Sequence, residues 1–131
     1  SERAKAAHAW TRWEMSTSFL MPKELSIKKA ANDNFSDSFA RIECHYFINN
    51  IFLEDNYILK NTIKIKNIPV SIVQGRYDIV CPMRSAWDLS KSLPLSKLYV
   101  IDNAGHSMKE KGITNKLIEL TNQLANSVFN P

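Results

Sequence analysis

Two apolar runs, PVSIVQG at 69–75 and KLYVIDNAG at 97–105, most constrain what this chain can fold into. Neither alternates polar with apolar, so each reads as a strand covered on both faces, as in a parallel sheet. Between them MRSAWDLSKSL has the spacing of a helix, with Ala86, Leu89 and Leu93 inward. After them TNKLIELTNQLANSVF reads as a closing helix, with Leu117, Leu120, Leu124 and Val128 on one side. Strand, helix, strand, helix with short joints predicts an α/β fold.

The first 58 residues differ. They hold none of the three glycines and read as helices with polar joints. SERAKAAHAWTRWEMS predicts a helix that ends near Met21, before Pro22. KELSIKKAAN predicts a second. FSDSFARIECHYFINN predicts a third, with Phe35, Phe39, Ile42 and Tyr46 as one apolar stripe and Ser36 or Asp37 as its cap. The stretch from Glu54 to Ile68 reads as a connection with a short turn of helix.

Composition excludes several classes. At 44% hydrophobic and 23% charged, the chain is an ordinary globular one. No apolar run reaches the roughly 20 residues a bilayer needs, and residues 1–20 do not form a signal peptide. A net charge of +4 with scattered lysines gives no basic face, so neither nucleic acid nor membrane is an expected partner. Cys44 and Cys81 form no disulfide framework, which points to a reducing, cytoplasmic setting. His8, His45 and Cys44 lack metal-ligand spacing, and neither metal nor cofactor is expected.

Chemistry in open α/β sheets gathers at the carboxyl ends of strands. Asp78 follows the first run just beyond Gly75, and His106 follows the second just after Gly105. Neighbouring parallel strands would bring both to one rim. An Asp that orients a His acting as base is two-thirds of a nucleophilic triad. The plainer alternatives are a helix cap for Asp78 and a surface loop for His106.

GRYDIVCP followed by DNAGHS resembles the end of the α/β-hydrolase fold. With AWTRWE and ARIECHYF, the chain more narrowly resembles the prolyl iminopeptidases, over nearly its whole length. The resemblance implies the C-terminal part of such an enzyme, with residues 1–58 a portion of a helical cap and 59–131 part of the hydrolase core. It implies Asp78 and His106 as catalytic residues. Glu14 and Glu43 would bind the ammonium of an N-terminal proline. Phe47 would line the proline-ring pocket, and Cys81 would border the site. The family's G-x-S-x-G elbow, which carries the nucleophilic serine, is absent from this chain. The resemblance therefore also implies a partner, the N-terminal part of the same enzyme, besides a peptide substrate beginning with proline.

Three readings follow. One is the iminopeptidase. The second is another α/β-hydrolase, acting on esters or epoxides, which has no use for paired cap acids. The third is a non-catalytic fragment, since the nucleophile is missing. Read from the residues alone, Glu14 would be a solvated acid pairing with Arg12, Phe47 and Trp13 would be core, and Cys81 a small buried hydrophobe.

Overall fold

The computed structural model describes residues 1–32 and 34–129. Six α-helices and two strands occur among them, in the order α1 (Glu2–Thr17), α2 (Glu24–Asn32), α3 (Phe35–Ile48), α4 (Tyr57–Lys60), β1 (Val70–Gly75), α5 (Met83–Ser92), β2 (Ser96–Ile101) and α6 (Lys111–Phe129). The 3-10 turns Asn50–Phe52 and Thr62–Ile65 flank α4.

The expected α/β unit is present. β1 and β2 pair in parallel, from Val70 opposite Ser96 to Gly75 opposite Ile101. Helix α5 forms the crossover and packs on both strands, while α6 packs on β1. Leu93, Ala104, Ile113 and Ala86 are buried around the sheet. Burying these side chains removes apolar surface from water, at roughly 25 cal/mol per Å². The strands themselves are mostly half-buried, because only two strands are present to be covered. Leu117 and Leu120 are likewise half-buried, and Leu124 is exposed, so the expected apolar side of α6 is covered only over its first half. The side chain of Val128 lies outside the described residues.

The first three helices form a layer of their own. Helix α1 packs on both α2 and α3. Ala7 and Thr11 on α1 are buried in this layer, as are Ser36 on α3 and Ile27 and Ala31 on α2. Small side chains let helix axes approach closely, which explains how a chain with few large buried residues still packs here.

Several local expectations are corrected. Helix α1 stops at Thr17, four residues before Met21, because Ser18 closes it. The Ser18 N–H and hydroxyl both bond to the Glu14 carbonyl, ending the helix before Pro22 is reached. Neither Ser36 nor Asp37 caps α3. Asn34 holds the cap position, and Asp37 instead pairs with Arg3 and Arg41. The stripe of Phe35, Ile42 and Tyr46 is exposed rather than buried, since α3 turns its Ser36 side to α1. Phe35 and Phe39 stack on each other at 5.1 Å on that open face. No helix among the described residues is long and apolar enough to cross a membrane.

Candidate active site

Gly75 and Gly105 are where the backbone forces the site together. A Cβ on Gly75 would lie 1.9 Å from the Gly105 carbonyl oxygen and 2.7 Å from that of Ala104. These are backbone atoms that cannot swing aside, so only glycine fits. The tips of the two strands therefore touch, and the residues just beyond them share one rim.

Asp78 and His106 meet there. Asp78 Oδ2 lies 3.0 Å from His106 Nδ1, across 28 residues of sequence. The Asp78 side chain is only 5% exposed, whereas the imidazole is 38% exposed. A buried carboxylate needs donors, and Asp78 has four. Oδ1 accepts from the Val80 and Cys81 amides at 3.0 and 2.8 Å. Oδ2 accepts from Gln74 Nε2 at 3.0 Å as well as from the histidine. A carboxylate oxygen can only accept, so Nδ1 of His106 donates to Asp78, and in the neutral ring the lone pair lies on Nε2. Asp78 is not the cap of α5, whose N-cap position is Pro82. One oxygen ties down the loop and the other orients the imidazole.

Two acids approach from the helical layer. Glu14, in the last turn of α1, is buried at 8% exposure. Burial pushes its carboxyl above the usual range, the nearby Glu43 charge adds to this, and His106 opposes it. Glu14 thus senses both the second acid and the histidine. It does not pair with Arg12, which bridges to Glu24 at 3.0 Å. The solvated-acid expectation for Glu14 fails, because α1 turns that side of its last turn inward. Glu43, on α3, accepts a hydrogen bond from Trp10 Nε1 at 2.5 Å. Trp10 also meets Phe47 edge-on at 6.2 Å and Trp13 at 5.7 Å. Phe47 and Trp13 are about half exposed, not core. An apolar groove of about 430 Å³ between α1 and α3 is lined by Phe47, Trp10, Ala7 and Cys44 among others.

Cys81 is exposed rather than a buried hydrophobe. Its thiol is pushed up by partial burial and by the charges of Asp78 and Glu14. It therefore stands within reach of both the dyad acid and the helical acid. Among the described residues no group of three His, Cys, Asp or Glu side chains could hold a metal ion.

Over 122 residues, 92% of its length, the chain is 54% identical to a probable proline iminopeptidase of Leptolyngbya boryana, covering 38% of that protein. It is a partial match to the proline iminopeptidases. The identity is 51% over 114 residues with the proline iminopeptidase of Arabidopsis thaliana, 86% of this chain and 30% of that one. It is 47% over 109 residues with that of Xylella fastidiosa, 82% of this chain and 35% of that one. The chain thus spans about a third of the length of the curated proline iminopeptidases it matches. No protein-family profile matches it.

Some site residues were not foreseen from the proline iminopeptidase resemblance. Gln74 bridges Asp78 and the Cys81 carbonyl, at 3.0 Å each. Its signal was present, as the one amide in an apolar strand. Trp10 as a donor to Glu43 could not be read, since the pairing joins two helices. Glu110 had no sequence signal. Its Oε1 accepts from the Gly105 amide at 2.7 Å and the Leu20 amide at 2.8 Å.

Proposed function

We propose that these residues form the C-terminal portion of a serine peptidase that releases proline from the amino terminus of peptides. Residues 1–58 are then part of its helical cap and residues 59–131 part of its α/β-hydrolase core. The observation that carries this reading is the oriented Asp78–His106 pair, with the buried Glu14 of α1 near enough that the charges of His106 and of Glu43 on α3 both act on it. The relatives' names point the same way.

In this reading a serine outside the 131 residues is the nucleophile, because the chain has no G-x-S-x-G. His106 Nε2 takes the hydroxyl proton as the oxygen attacks the proline carbonyl. The imidazolium then gives that proton to the leaving amine, and a water repeats the cycle to free the acyl group. Asp78 keeps the ring in one tautomer and stabilises its charge. Glu14 and Glu43 hold the secondary ammonium of the substrate. Two acids closed around one cation leave no space for a residue before the proline. Phe47 and Trp10 supply apolar surface for the ring.

Recognition of a free amine makes a direct test. The complete enzyme, in which these residues are joined to the nucleophile-bearing portion, should hydrolyse proline anilide and not its N-acetylated form. Equal rates on the two would remove the peptidase reading and favour an ester or epoxide hydrolase. The 131 residues alone should hydrolyse neither, since they carry the base without its nucleophile.

Cys81 offers a second check. A bulky maleimide on its sulfur should obstruct the site and inhibit the complete enzyme. Its raised thiol pKa means the reaction should accelerate with pH well above neutrality, since the thiolate is the nucleophile. Cys81→Ala should abolish the sensitivity with little loss of rate. Inhibition persisting in that variant would locate the reactive thiol elsewhere.

A further inference from the structure

We propose that Glu110 is a positioning residue, a carboxylate that fixes where His106 stands relative to Glu14; this rests on the reading of the site given above. Two amides from distant segments converge on the single oxygen Oε1. Leu20, in the segment leaving α1, donates at 2.8 Å, and Gly105, the neighbour of His106, donates at 2.7 Å. The reciprocal contact runs the other way. The Ser18 carbonyl accepts from the His106 and Ser107 amides at 3.0 and 2.7 Å. Ser18 is in turn bonded to the Glu14 carbonyl through its N–H at 3.0 Å and its hydroxyl at 2.7 Å. A short chain of contacts therefore leads from the acid on α1 to the base beyond β2.

The approach leaves little room for a side chain. A Cβ on Gly105 would lie 3.0 Å from the Leu20 amide nitrogen and 3.1 Å from Glu110 Oε1. Hydrogen bonds to an ionised carboxylate are stronger than neutral ones, and two of them share this oxygen. Without Glu110 both amides lose their acceptor, and the loop bearing His106 is held to the end of α1 only through the Ser18 carbonyl. Glu110 touches no reacting atom in this arrangement. Its effect passes through the backbone of His106, and a displacement of about 1 Å can cost about 10²-fold in rate.

The test has two arms. In the ¹⁵N-labelled complete enzyme, Glu110→Gln should move the amide resonances of Gly105 and Leu20 together, since one carboxylate oxygen accepts from both. In the complete enzyme, assayed well below its unfolding temperature, Glu110→Ala should lower kcat about 10²-fold on both proline anilide and a neutral ester, with KM changed far less. Glu110→Gln, which keeps one acceptor oxygen, should recover about tenfold of that loss. A purely structural carboxylate would lower thermal stability and leave kcat of the folded enzyme unchanged in both variants. That result, or a Glu110→Gln variant in which only one of the two amides moves, would overturn the proposal. The amide arm needs no substrate, so its outcome stands even if the enzyme proved not to act on proline.

Discussion

Asp78→Asn should lower turnover of the complete enzyme by about 10⁴-fold, the loss that such triads suffer when the histidine takes the wrong tautomer. The geometry dictates which way the new amide must face. Oδ1 receives two backbone N–H groups, from Val80 and Cys81, so the amide oxygen has to remain there. The NH₂ then replaces Oδ2 and points at Gln74 and His106, both donors in the native arrangement. His106 can meet it only by accepting at Nδ1, which moves its proton to Nε2, where a lone pair is required. The shape of the site survives and its chemistry does not. His106→Ala should be at least as damaging. Steady-state kinetics on proline anilide measure both, and near-normal turnover in Asp78→Asn would reduce that residue to a loop tie.

The second large effect separates amine recognition from generic hydrolysis. Glu14→Gln and Glu43→Gln keep shape and remove charge. Each should cut kcat/KM for an N-terminal proline substrate by roughly 10²-fold, on the order of 3 kcal/mol for a charge-assisted, partly buried contact. A neutral ester of similar size gains nothing from either acid and should lose much less. The raised Glu14 carboxyl fixes how this depends on pH. Below its pKa Glu14 is neutral and holds an ammonium weakly, so the preference for the amine should fade as acidity increases through that range. The same shift sets the sign for stability. The carboxyl binds its proton more tightly in the folded chain than in the unfolded one, so its contribution is full at low pH and is lost as pH rises through the folded value. Glu14→Gln should therefore raise the Tm at neutral pH and leave it unchanged in acid. Equal losses on both substrates, with a lowered Tm, would sink the recognition role.

Sequence order made the sheet legible because a buried parallel strand has to be apolar without interruption. PVSIVQG and KLYVIDNAG carry that signature, and the Gly75 and Gly105 tips then brought Asp78 and His106 to one rim. The helical layer was harder. Its stripe at Phe35, Ile42 and Tyr46 obeys helical spacing and yet faces outward. Periodicity reports that a face is apolar and says nothing about which neighbour covers it. The α1–α3 contact instead uses Ala7, Thr11 and Ser36, residues too small to register as a hydrophobic stripe. Helix ends were misjudged for a related reason. Ser18 closes α1 with its own hydroxyl, a local bond that outcompetes the stop expected from Pro22. The Glu110 latch was invisible because both of its partners are backbone amides, which have no letter in a sequence.

Among the described residues, each strand of the sheet is paired on one side only. Among those residues no further strand covers the outer edges of β1 and β2. Such an edge accepts any strand of suitable length, from the same molecule or from another. In the reading proposed above, the strands that flank this pair come from the portion of the enzyme outside these 131 residues.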